Sequence, residues 1–163
     1  MGYTSYFRIP KVLDKEKFKT LSSELDFVRS MLPSHSNSAG RDKNDDENRI
    51  ILKGWDGNGE PEFTEETICF NGDAETGNDH ETFRIDRNSE KQARAEGSKE
   101  ELFFNFCKTA RKSYDFFVCV SLLRLKHFFP ECVISSDGTA ADWKPAKDFY
   151  KKVFKETAPK FKL

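Results

Sequence analysis

The residues from Phe116 to Phe129, FFVCVSLLRLKHFF, form the most apolar segment of the chain, and Pro130 follows them. In a helix, these apolar side chains would fall on nearly every side, whereas a surface helix keeps its apolar residues on one face. Proline cannot continue a helix. The segment therefore predicts a central helix from about Ser113 to Phe129 that other elements must cover. We expect its core side chains to include Phe117, Val120 and Leu123, and we expect Arg124, Lys126 and His127 to lie near its exposed end.

The rest of the chain predicts elements that could cover this helix. Alternation of apolar and polar residues is typical of half-buried strands, and a repeat near 3.6 residues is typical of amphipathic helices. The apolar run at 102–107 fits a strand or the start of a helix, and we interpret it as a strand. Predicted strands lie at 3–9, 49–55, 66–72, 81–87, 102–107 and 131–137, and predicted amphipathic helices at 14–32 and 142–157. We expect Asp142 to be the N-cap of the last helix and Pro145 to lie in its first turn.

This order of elements predicts an α+β fold, namely a two-layer domain with a mainly antiparallel sheet covered by about three helices. The length of 163 residues suits a single domain over 1–163. Polar and charged composition predicts flexible loops near 34–47 and 88–100, with no core residues in the second loop. The tail at 157–163 is predicted to be frayed.

Composition limits the classes of function. The 27 basic and 28 acidic residues nearly cancel, so no overall charge indicates nucleic acid as a partner. The four cysteines lie in apolar runs without metal-ligand spacing, which predicts reduced core thiols, no metal and no cofactor. The N-terminus lacks a signal-peptide pattern and no long apolar run could span a bilayer, which favours the cytoplasm and excludes a membrane partner. The oligomeric state stays open.

The turn CKTARKSYD, residues 107–115, is the first candidate site. If the central helix begins just after it, then Lys108, Arg111 and Lys112 surround the helix N-terminus beside Tyr114. Free backbone N–H groups, the positive end of the helix dipole and the cationic side chains all favour a phosphate or carboxylate there. The alternative is that these cations pair with nearby carboxylates or with solvent.

Polar turns after the predicted strands supply a second candidate set. Asn71, Asp73 and Glu81 lie in or beside an acidic stretch, Asp115 ends the CKTARKSYD turn, and Ser136 and Asp137 stand in SSDG after the last strand. Oxygen ligands of this kind suit Ca²⁺ or Mg²⁺, but the spacing of a calcium-binding loop is missing and ordinary turn chemistry accounts for these residues. The chain has no nucleophile motif and no glycine-rich phosphate loop.

Four segments, MGYTSYF, CFNGDAETGNDHETF, FFNFCKTARKSYD and VISSDG with DWKPAKDFY, resemble a family encoded by tailed phages and prophages. The similarity covers nearly the full length, and the family brings no assigned activity. The chain departs from it at Ser5, Phe7 and Ser113, where histidine, tryptophan and proline are usual. The resemblance singles out Tyr3, Asn71, Gly72, Glu81, Phe83, Lys108, Arg111, Lys112, Tyr114, Asp115, Ser136, Asp137 and Gly138.

Membership of such a family implies a protein that acts in the cytoplasm of a bacterial host. Three functions remain open. The protein could bind a phosphorylated or other anionic small molecule at the 108–115 turn, or it could bind a host or phage protein without any ligand. It could also be a small enzyme, which would require the polar residues of the separate motifs to converge.

Overall fold

The structure is a computed structural model that describes residues 2–32 and 50–163. The strands are β1 (Thr4–Pro10), β2 (Glu62–Phe63), β3 (Thr67–Phe70), β4 (Phe83–Asp86), β5 (Leu102–Lys108) and β6 (Val133–Ser136). The helices are α1 (Lys15–Arg29), α2 (Glu90–Ala95), α3 (Asp115–Phe128) and α4 (Ala140–Phe154), with a 3₁₀ turn at Trp55–Gly57. The described helices and strands confirm the predicted α+β class.

The first sheet has the strand order β5-β1-β6, and both pairings are antiparallel. Phe7 on the central strand lies opposite Asn105 of β5 and Ile134 of β6. Because successive side chains of a strand point to opposite faces, Phe7 and Ile9 enter the core and Arg8 between them faces outward. The pairing of β5 with β1 confirms the strand interpretation of 102–107.

The second sheet has the order β2-β3-β4 and is also antiparallel. Its β3–β4 pair is the one predicted from the alternating residues at 66–72 and 81–87. The Phe83 ring lies 4.9 Å from the Phe70 ring and 5.5 Å from the Phe7 ring of the first sheet, measured between centroids. The strands thus form two small sheets joined by aromatic packing, where the sequence predicts one.

Helix α3 is the central element, as its composition predicts. Its residues from Phe117 to Leu125 are all buried. Helices α1 and α4 both pack against it. The Phe117 ring contacts the Phe70 ring at 5.2 Å and the Phe63 ring at 6.2 Å, so α3 also packs against the second sheet.

The prediction that Arg124 lies near an exposed helix end is wrong. Only 8% of its side chain is exposed. Its guanidinium donates to Glu24 of α1 at 2.6 Å, to the Tyr150 hydroxyl of α4 at 2.8 Å, and to Glu156 just beyond α4. A buried charge is tolerated when carboxylates and further hydrogen bonds satisfy it. Arg124 therefore joins the three long helices.

Helix α4 begins earlier than predicted. Thr139, not Asp142, is its N-cap residue, and Asp142 occupies the third helical position of a capping box with Thr139. Pro145 consequently lies beyond the first turn. After the helix, Phe161 packs against Trp143 with ring centroids 4.7 Å apart.

Three other predicted segments remain to be compared with the structure. Among the described residues 50–55 there is no strand, although Lys53 forms an isolated bridge with Asn71. The segment near 88–100 contains α2 and buries Ala93, so the prediction of no core residues there is wrong. The predicted loop at 34–47 lies outside the described residues. Within the described chain, no helix has the length and apolar character needed to cross a membrane.

Candidate functional site

The turn between β5 and α3 is held by the start of the chain. Thr109 N–H and Ala110 N–H both donate to the Tyr3 carbonyl, at 3.0 and 3.2 Å. Ala110 and Arg111 have positive φ angles of 50° and 59°, a region that L-residues other than glycine seldom occupy. The two consecutive left-handed residues turn the backbone so that Arg111 points back toward Tyr3.

Arg111 has partners from two other parts of the chain. Its Nη1 donates to Asp142 Oδ1 of α4 at 3.0 Å, and its guanidinium carbon lies 4.2 Å from the centroid of the Tyr3 ring. The Thr139 backbone N–H, Arg111 and the Thr139 hydroxyl together lower the pKa of Asp142. The Arg111 side chain is nevertheless 61% exposed, so one face of it is open to solvent.

The other two cations of the turn point to different parts of the molecule. Lys112 Nζ donates to the Gly77 carbonyl at 2.8 Å, in the connection between β3 and β4. The backbone of Lys108 is bonded to Glu81, whose Oε2 accepts from Lys108 N–H at 2.8 Å. The Lys108 side-chain stem lies against Gly2. The three cations therefore do not share one partner.

The N-terminus of α3 is occupied by protein groups. Phe117 N–H and Val118 N–H donate to the Tyr114 carbonyl, at 2.9 and 3.1 Å. Asp115 is the first helical residue, and its Oδ1 accepts from the Thr109 hydroxyl at 2.6 Å. Burial raises the pKa of Asp115. A carboxylate in the first turn already complements the helix dipole.

Tyr114 is an internal side chain. It is fully buried, and its hydroxyl donates to the Glu81 carbonyl at 2.5 Å. Burial raises its pKa well above the ordinary value for tyrosine. The Cys107 thiol contacts the same carbonyl at 3.3 Å. Tyr114 thus anchors the segment that leads into β4.

Asn71 and Asp73, from the second predicted set, hold the connection between β3 and β4. The Asn71 amide donates to the His80 carbonyl at 2.9 Å, and its oxygen accepts from His80 N–H at 3.1 Å. Asp73 Oδ1 accepts from Glu75 N–H at 3.1 Å. Gly72 has no room for a side chain, because a Cβ there would overlap the Asn78 carbonyl. These are the hydrogen bonds of a closed loop.

Ser136 and Asp137 fasten the end of β6 to the start of β1. Asp137 accepts from Thr4 N–H at 3.0 Å and from the Tyr6 hydroxyl at 3.1 Å. Ser136 Oγ accepts from Gly138 N–H at 2.9 Å and donates to the Tyr3 hydroxyl at 3.4 Å. A side chain at Gly138 would overlap the Tyr3 hydroxyl, so this close approach requires glycine.

The predicted residues therefore lie in two groups. Around Tyr3 the structure brings together Arg111, Ser136 and Gly138. Around Glu81 it brings together Lys108 and Tyr114, and the Asn71 loop adjoins them. Among residues 2–32 and 50–163, no group of three or more His, Cys, Asp or Glu side chains is arranged to hold a metal ion. The Arg111 guanidinium, the Ser136 hydroxyl and the Tyr114 hydroxyl all have hydrogen-bond partners within the protein.

The outer face of the first sheet is a region that the sequence analysis did not identify. Tyr6 and Arg8 of β1, Phe104 and Phe106 of β5, and Val133 of β6 point away from the core; we call these five residues the aromatic face. Phe104, Phe106 and Val133 are 42%, 54% and 51% exposed. Their alternation with buried Phe103 and Cys107 is the sequence signal that could have revealed this face.

The rings of the aromatic face contact one another. The Tyr6 and Phe104 rings are stacked with centroids 6.2 Å apart, and the Phe104 and Phe106 centroids are 6.0 Å apart. The Arg8 guanidinium lies 4.9 Å from the Phe104 centroid and also pairs with Glu100. A groove of about 450 Å³ adjoins β6 and is lined by Lys126, Val133, Ile134, Ser135, Phe161, Lys162 and Leu163.

Comparison with known proteins adds no further assignment. A scan against protein-family models, a search of curated proteins and a search of solved structures each found no match to this chain.

Proposed function

We propose that this protein is an interaction protein that binds another protein through the aromatic face, as an accessory protein of phage type in the cytoplasm of a bacterial host. The exposure of Phe104 and Phe106 on β5 and of Val133 on β6, on either side of the central strand β1, is the observation that carries the proposal. Exposed apolar side chains that are contiguous, rather than scattered, are typical of interaction surfaces. The resemblance to phage and prophage proteins supports the setting.

The chemistry of the aromatic face fits a protein partner. Aromatic residues and arginine are enriched at the centres of protein interfaces, where they supply most of the binding energy. Tyr6 and Arg8 combine an apolar body with a polar group, and Phe104 and Phe106 supply apolar area. The rings are already packed against each other, so binding would immobilise little additional side-chain freedom.

Photocrosslinking in bacterial cells expressing the protein tests this proposal. A photoreactive phenylalanine at position 106 should give an adduct with a protein other than a second copy of this chain, and Tyr6→Ser with Val133→Ser in the same chain should abolish that adduct. The matched control is the same probe at Phe27, an exposed aromatic on α1. Equal adducts with such a partner at both positions, or an adduct with it that survives the double substitution, would contradict the proposed surface.

Binding of an anionic small molecule at the 108–115 turn is the second candidate. The exposure of the Arg111 side chain favours it, because one face of the guanidinium is open to solvent. Against it, Arg111 is paired with Asp142, and Lys112 is bonded to Gly77. Stabilisation by phosphate that is lost in Arg111→Ala would separate this candidate from the interaction protein.

A further inference from the structure

The β5 strand is one edge of the first sheet, and part of its backbone faces away from β1. Thr109 N–H donates to the Tyr3 carbonyl, which makes Tyr3–Thr109 a hydrogen-bonded pair of the ladder. Hydrogen-bonded and non-hydrogen-bonded pairs alternate in an antiparallel ladder. Cys107, Asn105 and Phe103 therefore bond to β1, and the backbone groups of Leu102, Phe104 and Phe106 point outward.

The outward groups at the end of β5 are satisfied, whereas those of its middle are open. Lys108 N–H donates to Glu81 Oε2, and its carbonyl accepts from Glu81 N–H at 3.2 Å. Within residues 2–32 and 50–163, no other part of the chain bonds to the outward backbone groups of Phe104 and Phe106. The open stretch of the edge therefore runs from Leu102 to Phe106 and is centred on Phe104.

Such an edge is unusual in a protein that stays monomeric. Natural sheet edges are protected by lysine, proline, bulges or short length, because open N–H and C=O groups readily pair with another strand. The other edge, β6, has four residues and is flanked by Lys126, whose Nζ donates to the Cys132 carbonyl at 2.5 Å. The middle of β5 carries phenylalanine at both open positions and has none of these protections.

We propose that β5 pairs with β5 of a second copy of this chain, in an antiparallel register that places Phe104 opposite Phe104 of the other copy. The two three-stranded sheets would then form one six-stranded sheet. Leu102 of each copy would lie opposite Phe106 of the other. This inference concerns the edge of the sheet and does not rest on the proposed binding by its aromatic face.

Charge and symmetry favour a second copy as the occupant. Glu100 and Glu101 precede β5 and Lys108 ends it. Antiparallel pairing brings the acidic end of one strand to the basic end of the other, whereas parallel pairing would bring like charges together. The formal net charge of −1 gives two copies almost no net repulsion. With a twofold axis at Phe104, the same open N–H and C=O groups of each copy would bond to those of the other copy.

Sedimentation analysis of the purified chain tests the pairing. The wild-type protein should form a concentration-dependent dimer, and Phe104→Pro should be monomeric because proline lacks the N–H group that points to the partner. Phe104→Thr is the matched control, since it removes the ring but keeps the N–H group and should still dimerise. A wild-type chain that stays monomeric at its highest soluble concentration would overturn the proposal, and so would a dimer unchanged in Phe104→Pro.

Cysteine crosslinking tests the register without relying on the proline variant. Opposite residues of a hydrogen-bonded pair have Cα atoms about 5.5 Å apart, within reach of a disulfide. In the proposed register, position 106 of one copy lies four residues from position 106 of the other, about 13 Å away and out of reach. Oxidation should therefore crosslink Phe104→Cys and leave Phe106→Cys uncrosslinked.

The native cysteines do not interfere with this experiment, because all four are buried and free. Crosslinking of Phe106→Cys but not Phe104→Cys would overturn the register. The Tyr6→Ser variant separates this inference from the proposed function. Tyr6 lies on the central strand, so the substitution should weaken partner binding at the aromatic face and leave the dimer intact.

Discussion

The 108–115 turn and the aromatic face differ in how their side chains are used. In the turn, Arg111 pairs with Asp142, Lys112 bonds to Gly77, and Tyr114 bonds to Glu81. On the aromatic face, Phe104 and Phe106 contact each other, Phe104 also contacts Tyr6 and Arg8, and about half of each phenylalanine is exposed to solvent. The residues with the most evident chemistry in the sequence therefore hold the fold together, whereas the exposed apolar residues are free to bind.

This difference has a physical cause. A charged or hydroxyl-bearing side chain near the core must find a partner, because an unsatisfied buried polar group costs about 1–3 kcal/mol. An exposed phenylalanine has no such requirement, and its solvent-facing ring contributes little to the stability of the monomer. A cluster of such rings is more informative about binding than a cluster of bonded polar groups.

The largest expected effect comes from comparing a buried phenylalanine with one on the aromatic face. Phe117 is fully buried against Phe70, and Phe117→Ala should lower the free energy of unfolding by about 3–5 kcal/mol because it leaves a cavity. Phe106→Ala should change it by no more than about 0.5 kcal/mol. Urea unfolding of monomeric protein measures both values. Equal losses would mean that Phe106 is part of the core.

The next comparison uses two tyrosines. Tyr114→Phe removes a buried hydroxyl that donates to Glu81 and leaves that carbonyl with the weaker thiol contact of Cys107, so we expect a loss of about 1–3 kcal/mol. Tyr6→Phe removes an exposed hydroxyl and should cost less than about 0.5 kcal/mol. Thermal and urea unfolding of both variants test this order. A larger loss in Tyr6→Phe than in Tyr114→Phe would mean that the buried Tyr114 hydroxyl is not the structural contact of the two.

The sequence predicts the elements of this fold better than their long-range arrangement. The apolar residues around α3 require a buried helix, and the alternation at 66–72 and 81–87 requires a pair of strands; both signals are local. The division into two sheets depends on which strands meet, for example Phe7 of β1 with Phe83 of β4. That meeting joins residues far apart in the chain, and no local pattern encodes it.

The candidate site shows the same limit. The sequence identifies Arg111 and Lys112 as cations at a helix start, but their partners are 31 and 35 residues away in the chain. Arg124 has an even more distant partner in Glu24, 100 residues away, which is why its burial was not predicted. The exposure of Phe104 was not predicted for another reason. The chain has 16 phenylalanines, and composition alone does not show which of them lie outside the core.

A smaller effect is expected from pH, which should change stability in opposite directions through two carboxylates near the turn, Asp142 and Asp115. Hydrogen bonds from Thr139 and Arg111 lower the folded-state pKa of Asp142, so its contribution to stability is present above the unfolded value near 4 and is lost as the pH falls through the folded pKa. Burial raises the folded-state pKa of Asp115, so its effect is opposite, and stability is gained as the pH falls from the folded pKa toward about 4.

Melting temperatures measured across this pH range test the two directions. Asp142→Asn should remove part of the acid sensitivity of the wild-type protein. Asp115→Asn should remove the stability that the wild-type protein gains through Asp115 as the pH falls. The melting temperature of this variant should therefore change less with pH above about 4. If the two variants changed the pH profile in the same direction, the assigned environments of these carboxylates would be wrong.

The smallest expected effect concerns Arg111 and decides between the two candidate functions. Because Arg111 is mostly exposed, Arg111→Ala should lower the melting temperature by less than Tyr114→Phe does. Since the guanidinium pairs with Asp142, and Asp115 supplies another carboxylate at the helix start, we expect sulfate and inorganic phosphate to stabilise the wild type and Arg111→Ala equally or not at all. Any general salt effect should be the same in both proteins.

The opposite result would favour the anion site. Stabilisation by phosphate that weakens with added sodium chloride and is lost in Arg111→Ala would mean that the ligand displaces Asp142 from the guanidinium. In that case Arg111→Lys should recover part of the effect, because an ammonium group keeps the charge but cannot form the paired hydrogen bonds of the planar fork. Asp142→Asn should then strengthen phosphate binding, since it removes the competing carboxylate. Without that pattern, the polar turn serves the fold and the aromatic face remains the proposed binding surface.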